Sequence, residues 1–177
     1  MNINETLKHY FGYDSLRPGQ QELIEGILQR KDVLGIMPTG AGKSLCYQVP
    51  ALMLDGITIV VSPLISLMTD QVKALNQAGV HAAYINSSLT ENQIRTALFY
   101  AAQGRYKIIY VAPERLNTIR FLEFACQVDI SMVTVDEAHC ISQWGQDFRP
   151  SYVGIADFLA QLPKLSLIHI SEPTRHA

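Results

Sequence analysis

A glycine-rich segment in the first third of the chain has the residue types needed to bind nucleotide phosphates. The segment Thr39-Gly40-Ala41-Gly42-Lys43-Ser44 follows a β-branched run at 33–37 and precedes a helical pattern. Glycines lack a Cβ, so backbone N–H groups can close around anionic oxygens at the start of that helix. Lys43 can then reach the outer phosphates, and the Ser44 hydroxyl can ligate Mg²⁺. A tight turn without a ligand is the alternative, and Met37 stands where the strict motif has glycine.

Two adjacent carboxylates follow a second β-branched run farther along the chain. The run at 131–136 ends in Asp136, and Glu137 comes next. Open α/β sheets hold their ligands at the carboxyl ends of their strands. Asp136 can hold the Mg²⁺ shell, and Glu137 can orient and deprotonate an attacking water. A solvated acidic turn is the alternative, but a phosphate loop upstream in the same sheet favours a joint site.

The elements that must position these residues are predicted from hydrophobic patterning. Strands are expected at 33–37, 57–62, 80–85, 107–112 and 131–136, where several runs are apolar without alternation, as in strands buried on both faces. Helical spacing is present at 64–77 and at 90–103, with Thr90 as the N-cap of the second helix. Pro18 is expected in the first turn of an earlier helix. The pattern predicts an α/β fold, a mostly parallel sheet with helices on both faces.

Composition limits the class of protein. The chain has 177 residues, of which 48% are apolar, and this suits one domain with one sizeable core. Charged residues are 17% of the chain and the net charge is -2, so any contact with nucleic acid must be local. Cys46, Cys126 and Cys140 lack metal-ligand spacing and are expected to be reduced thiols. Neither a membrane span nor a leader is visible, and a cytoplasmic protein is expected.

The motifs taken together resemble the N-terminal motor lobe of RecQ-type helicases, a branch of superfamily 2. The resemblance covers about 11–165 and is carried by Phe11-Gly12-Tyr13, Leu16-Arg17-Pro18-Gly19-Gln20, 37–47, 61–67 with Asp70-Gln71, 110–116 and 135–150. Met37 fits, because the loop of this family resembles Met-Pro-Thr-Gly-x-Gly-Lys-Ser. The resemblance implies a RecA-like P-loop NTPase lobe that uses ATP and Mg²⁺ and binds single-stranded DNA. It also implies coupling of hydrolysis to 3'-5' movement, and a bacterial location at the nucleoid.

The resemblance also implies roles around the nucleotide. Tyr13 would stack on adenine and Gln20 would read its edge, with Arg17 beside them. Gln20 has suitable chemistry, since an amide both donates and accepts hydrogen bonds. The alternative is that Tyr13 and Gln20 only decorate the start of a helix. His139 would bridge the acidic pair to neighbouring parts of the motor.

Contacts with DNA are implied by three further stretches. Trp144, Phe148 and Arg149 resemble the aromatic-rich loop of the family, and these side chains suit base stacking and phosphate contact. The alternative is that Trp144 and Phe148 form a core-facing helical pair. Ser62, Pro63, Ser66 and Arg115 match motifs that hold DNA phosphates without reading bases. An ordinary surface pair between Glu114 and Arg115 is the alternative there.

The domain prediction is one lobe at 1–165, followed by a tail at 166–177 that resembles translated sequencing-adapter DNA and is expected to be non-native. The second motor lobe with its arginine finger and the C-terminal modules of the family are expected to lie outside this chain. The chain is therefore expected to bind ATP but to hydrolyse it poorly, and not to unwind DNA alone. An RNA-directed superfamily 2 ATPase, a small-molecule kinase and a non-catalytic nucleotide-binding fragment are the alternatives.

Overall fold

The computed structural model describes residues 1–36, 42–137, 150–162 and 166–171. Within these ranges the strands are β1 (Val33–Ile36), β2 (Ile57–Val61), β3 (Ala82–Ile85), β4 (Ile108–Val111), β5 (Ile130–Asp136) and β6 (Ser166–Ser171). The helices are α1 (Ile3–Phe11), α2 (Gln20–Leu28), α3 (Lys43–Met53), α4 (Ile65–Gln77), α5 (Glu91–Ala102), α6 (Ile119–Gln127) and α7 (Gly154–Ala160). Short 3-10 helices lie at Pro113–Arg115 and Pro150–Val153.

The six strands form one sheet in the order β1-β6-β5-β2-β4-β3, and every pairing in it is parallel. All five predicted strands are present, each shifted by a few residues at its ends. The predicted α/β fold with a parallel sheet and helices on both faces is confirmed. The strand order brings the carboxyl ends of β1 and β5, which lead to the two halves of the predicted site, to the same edge of the sheet.

Two sequence signals at helix starts have different outcomes. Thr90 caps α5 as predicted, because its side chain accepts a hydrogen bond from the Gln93 backbone N–H while the Gln93 side chain bonds back to Thr90. The prediction that Pro18 occupies a first helical turn is wrong. Helix α2 begins at Gln20, after Gly19 with φ of +89°, a left-handed conformation that favours glycine. Helix α1 was not predicted, although Asn2 and Glu5 form a capping box at its start.

Strand β6 lies between β1 and β5, with Val33 opposite Ile168 and Val135 opposite His169. It belongs to the segment that was predicted to be a tail outside the lobe. A short run of apolar and β-branched residues can be extended at this position, where strands on both sides pair with its backbone. The sheet described by the structure therefore includes residues 166–171, and the boundary of the lobe at 165 stays a prediction. The assignment of 166–177 as a non-native tail stays a prediction.

The core is divided by the sheet into two layers. Because successive side chains of a strand point to opposite faces, Ile59 and Val61 of β2 pack toward α5, α6 and α7, whereas Val60 packs toward α2, α3 and α4. A third cluster of Leu7, Ile24 and Val49 joins α1 and α2 to the outer face of α3. Helix α3, which carries the predicted phosphate ligands, is thus held between the sheet and a helical layer. No helix in the described ranges has the length and apolar character needed to cross a membrane.

Candidate nucleotide-binding site

The start of α3 has the backbone conformation expected at the end of a phosphate loop. Gly42 adopts φ of +73° and is the N-cap, and no side chain caps the helix. Lys43 and Ser44 form the first turn, where backbone N–H groups and the helix dipole favour anions. Residues 37–41, including Thr39, Gly40 and Ala41, lie outside the described residues, so their predicted phosphate contacts stay predictions.

Gln20 connects the entry of α2 to this helix start. Its side chain is 1% exposed, its Nε2 donates to the Gly42 carbonyl at 3.1 Å, and its Oε1 accepts from the Arg17 N–H at 2.7 Å. A Cβ added to Gly42 would lie 2.5 Å from the Gln20 Nε2. Gln20 therefore fixes the Gly42 backbone in place, which was not predicted from its sequence motif. Its role as a reader of adenine stays a prediction.

The two other residues predicted to contact adenine, Tyr13 and Arg17, precede Gln20 in the chain and lie on the surface. Tyr13 is 54% exposed, and Arg17 is also exposed. An exposed aromatic ring is accessible for stacking on a base. Because Arg17 donates its backbone N–H to Gln20, the segment that carries Arg17 is tied to the start of α3. Of the three predicted adenine contacts, Arg17 and Gln20 are thus linked to the start of α3 through one buried amide.

The acidic pair lies at the carboxyl end of β5. Asp136 is 8% exposed, and its backbone carbonyl accepts a hydrogen bond of 2.7 Å from the hydroxyl of Tyr152. The Glu137 N–H donates to Asp136 Oδ1 at 3.0 Å, and Glu137 has φ of +56°. A non-glycine residue in the left-handed region costs about 1–2 kcal/mol, and such strain is typical of functional sites. The Tyr152 and Asp136 contacts hold this turn in its unusual conformation.

The structure brings Lys43 and the acidic pair together. Lys43 Nζ lies 3.9 Å from Glu137 Oε1, and both side chains are more than four-fifths buried. An ammonium group, a carboxylate for proton transfer and the buried carboxylate of Asp136 thus share one edge of the sheet. Among the described residues, no group of three or more His, Cys, Asp or Glu side chains could hold a metal ion. The hydroxyl of Ser44 and the carboxylate of Asp136 are hard oxygen donors, which suit a Mg²⁺ held by few protein ligands and by substrate phosphates.

A buried polar cluster lies between α3 and the sheet. Tyr47 and Tyr110 approach each other with their hydroxyl oxygens 3.1 Å apart, and Gln48 Nε2 donates to the Tyr110 hydroxyl at 3.0 Å and to Gln71 Oε1 at 2.9 Å. Burial raises the pKa of Tyr110 to about 12, and the negative charge of Asp136 adds to this increase. Burial, followed by the effects of Tyr110 and Asp136, raises the pKa of Tyr47 well above its usual value. Both tyrosines therefore stay protonated and keep one donor each.

This cluster was not predicted, although the sequence contained one signal for it. Tyr110 interrupts an otherwise aliphatic run in β4, and a polar group in a strand buried on both faces requires a partner. The partners of Tyr110, Tyr47 and Gln48, both lie on α3, and Gln48 in turn donates to Gln71 of α4. Only the fold reveals which residues they are.

The predicted DNA contacts have different environments. Ser62 is 1% exposed, its N–H donates to the Val111 carbonyl, and its Oγ is buried without a hydrogen-bond partner. This burial argues against the phosphate contact predicted for its hydroxyl. Pro63 is half-buried and Ser66 is exposed in the first turn of α4, so Ser66 is accessible to a phosphate.

Arg115 has a partner that differs from the alternative considered for it. Its guanidinium lies 3.2 Å from Glu91 Oε1 at the start of α5. The alternative pair of Arg115 with Glu114 is therefore wrong. Because the Glu91 side chain is well exposed, this ion pair contributes little stability, and Arg115 can exchange it for a phosphate.

Four predicted residues, His139, Trp144, Phe148 and Arg149, lie outside the described residues. Their predicted roles in DNA contact and in coupling stay predictions. Asp136 and Glu137 precede this segment, and Tyr152 follows it. A hydrogen bond from the Tyr152 hydroxyl to the Asp136 carbonyl joins these two described residues.

The parallel sheet, the glycine-capped start of α3 and the acidic pair at the same edge define a P-loop NTPase lobe. The family model for DEAD/DEAH box helicases matches residues 17–171, and the chain belongs to this family. It is 53% identical over 157 residues to the ATP-dependent DNA helicase RecQ of Bacillus subtilis, covering 88% of this chain and 27% of that protein. The RecQ of Haemophilus influenzae is 44% identical, covering 97% and 28%. The predicted resemblance to RecQ-type helicases is confirmed.

Solved structures show the same fold. The DUF1998 helicase MrfA bound to DNA and AMPPNP aligns with a TM-score of 0.71 at 16% identity, covering 98% of this chain and 26% of that chain. A hypothetical ATP-dependent RNA helicase from Sulfolobus tokodaii aligns with a TM-score of 0.73 at 20% identity, covering 98% and 51%. The chain spans about a quarter of the length of the RecQ proteins that it matches, 27% and 28% of them.

Proposed function

We propose that this chain is the ATP-binding lobe of an ATP-dependent DNA helicase, where it binds MgATP and single-stranded DNA and couples hydrolysis to 3'-5' movement. The observation that carries this proposal is the position of Lys43 Nζ, 3.9 Å from Oε1 of Glu137, the residue that directly follows Asp136. The identity of 53% and 44% to two proteins named ATP-dependent DNA helicase RecQ supports DNA as the substrate. A bacterial cytoplasm with association to the nucleoid follows from this proposal.

The nucleotide would be held between the start of α3 and the end of β5. Lys43 and the N–H groups of the first turn bind the phosphates, while Ser44 and Asp136 hold Mg²⁺. When bound, Mg²⁺ neutralises charge on the phosphate oxygens. Glu137 orients the attacking water and accepts its proton. Its left-handed backbone supports this role, because strained residues of this kind are typical of functional sites.

The adenine would be bound by Tyr13, Arg17 and Gln20. The exposed ring of Tyr13 offers a stacking surface. Gln20 supplies the amide of this group, and its side chain is fixed by hydrogen bonds with the Arg17 N–H and the Gly42 carbonyl. The preference for adenine therefore depends on an amide whose orientation is already fixed.

Single-stranded DNA would contact the starts of α4 and of the 3-10 helix Pro113–Arg115. Ser66 is exposed in the first turn of α4, and Pro63 precedes it. Arg115 reaches a phosphate by leaving Glu91. Trp144, Phe148 and Arg149 supply stacking and a further cation, and His139 links the acidic pair to them.

Full activity belongs to a longer protein, because the chain spans 27% and 28% of the two RecQ proteins. An arginine finger from a second lobe contributes about 10³- to 10⁵-fold to the hydrolysis rate of such motors. The chain by itself is therefore proposed to bind MgATP and to hydrolyse it slowly. It is not expected to unwind duplex DNA.

Binding measurements test this proposal directly. The chain is titrated with a fluorescent ATP analogue and Mg²⁺, alone and with oligothymidylate or oligouridylate. Saturable nucleotide binding that oligothymidylate strengthens is expected, and a chain that binds no nucleotide contradicts the proposal. Strengthening by oligouridylate alone would reassign the motor to RNA.

A variant of the acidic pair tests the reaction. Glu137→Gln should keep nucleotide affinity within about twofold, because the amide fits the same space. It should lower slow phosphate release by about 10²- to 10⁴-fold, because the base is lost. Equal release by Glu137→Gln and the unchanged chain would contradict the role of Glu137.

A further inference from the structure

The tyrosine-glutamine cluster, which joins three elements of the lobe, consists of the buried residues Tyr47, Gln48 and Tyr110 and the half-buried Gln71. Tyr47 and Gln48 lie on α3, Tyr110 lies on β4, and Gln71 lies on α4. The hydrogen bond of 2.9 Å from Gln48 Nε2 to Gln71 Oε1 connects the two helices directly. Nonlocal hydrogen bonds therefore link the phosphate-binding helix to the helix that begins after Pro63.

The position of Gln48 is fixed by its own hydrogen bonds. Its Nε2 has two hydrogens, and the two acceptors are Gln71 Oε1 and the Tyr110 hydroxyl. Its side chain is 4% exposed and that of Tyr110 is 1% exposed, so a bond that breaks is not replaced by a bond to water. A shift of α3 must therefore move Gln71 or leave a buried polar group unpaired.

The cluster lies between the two sites to which functions are proposed. Tyr47 follows Lys43 by four residues, about 6 Å along a helix axis, and Gln71 follows Ser66 by five residues, about 7.5 Å. The charge of Asp136 also reaches both tyrosines and contributes to the rise in the pKa of each. One end of the cluster thus lies on the helix that carries Lys43, and the other end lies near the exposed start of α4.

We infer that the tyrosine-glutamine cluster positions α4 in response to nucleotide bound at α3, and so links ATP binding to DNA binding. The inference rests on the proposed function, because it assigns one site to each end of the cluster. The apolar contacts between these helices, such as those of Met68 and Val72 with the core, are not directional. The hydrogen bonds are directional, so they transmit a change in position from α3 to α4.

The test measures the linkage between two ligands. The affinity of the chain for the fluorescent ATP analogue with Mg²⁺ is measured with and without saturating oligothymidylate, and the ratio of the two dissociation constants is the coupling factor. Gln71→Met removes the acceptor and keeps a side chain of similar length. Gln71→Glu keeps an acceptor oxygen, and Gln77→Met makes the same change at an exposed position of α4.

The expected result separates linkage from binding. Gln71→Met should lower the coupling factor about fivefold, the effect of one hydrogen bond, while the affinity for nucleotide alone changes less than about twofold. Gln71→Glu and Gln77→Met should keep the coupling factor of the unchanged chain. Tyr110→Phe removes the other acceptor of Gln48 and should also lower the coupling factor. It replaces Gln71→Met as the test if Gln71→Met does not fold.

The remaining outcomes distinguish a failure of this inference from a failure of the proposed function. An unchanged coupling factor in Gln71→Met and Tyr110→Phe overturns the inference and leaves the proposed function standing. Binding of both ligands by the unchanged chain without any linkage also overturns it. A chain that binds no nucleotide overturns the proposed function, and the inference with it.

Discussion

Replacing Gly42 with alanine should lower the free energy of unfolding by more than the strain of its backbone conformation alone. An alanine at φ of +73° costs about 1–2 kcal/mol. The added Cβ would also lie 2.5 Å from Gln20 Nε2, so the amide must move and lose its bond to the Gly42 carbonyl, about 1 kcal/mol more. We expect a total loss of about 2–3 kcal/mol in the free energy of unfolding.

Two other variants divide this loss into its parts. Gly12 has φ of +76°, and a Cβ there would meet nothing within 4 Å, so Gly12→Ala should cost only the conformational part. In the Gln20→Ala background, the cost of Gly42→Ala should be smaller by about 1 kcal/mol, because the contact with Gln20 Nε2 is already absent. Urea unfolding of the unchanged chain, the three single variants and the double variant gives these differences, provided that the dependence on urea concentration stays constant.

Nucleotide binding gives a second measure of the same contact. Displacement of Gln20 disturbs the start of α3, so Gly42→Ala should weaken the affinity for the ATP analogue by about fivefold or more, as a loss near 1 kcal/mol predicts. Gly12→Ala should leave that affinity unchanged. The reasoning is refuted if Gly42→Ala and Gly12→Ala lower the free energy of unfolding equally. It is also refuted if Gly42→Ala costs as much in the Gln20→Ala background as in the unchanged chain.

Three further predictions concern other parts of the site. Lys43→Ala should weaken nucleotide binding by about 10- to 100-fold, because a charge-assisted contact is lost; an unchanged dissociation constant would contradict the phosphate contact. Burial raises the pKa of Cys46 to about 11, so at pH 8 only about one thiol in 10³ is ionised. Iodoacetamide should therefore modify exposed Cys126 before Cys46. Equal rates of modification of the two thiols, measured by mass spectrometry, would contradict this prediction. Tyr152→Phe should lower the free energy of unfolding by about 0.5–1.5 kcal/mol, because the Asp136 carbonyl loses its hydrogen bond from the Tyr152 hydroxyl. An unchanged free energy of unfolding in urea would contradict this prediction.

The parts of the fold that follow from local patterns were predictable. The strands around Ile59, Tyr110 and Val133 were predicted because buried parallel strands are apolar on both faces. The cap at Thr90 was predicted because both of its partners lie within three residues. Strand β6 was not predicted, since its segment follows the motifs on which the sequence-based resemblance rested and its pairing depends on β1 and β5.

The site was predictable in its residue types but not in its contacts. Lys43 and Glu137 were assigned to one site from their motifs, and the structure places them 3.9 Å apart. The burial of Ser62, the pair of Arg115 with Glu91 and the bond from Gln20 to Gly42 were not predicted. Each depends on a neighbour that is distant in the sequence or on which face of the sheet a residue occupies. A motif gives the identity of a residue, whereas only the fold gives its partner.

The position of β6 sets the width of the nucleotide site. Strands β1 and β5 are not neighbours, since β6 pairs with both. Adjacent strands lie about 4.8 Å apart, so the strand before the phosphate loop and the strand before the acidic pair are separated by about 10 Å. Six residues to which no ligand contact is assigned thus act as a spacer between the two halves of the site. Any sequence that forms a strand there preserves the gap, and a sequence that does not would let the gap close.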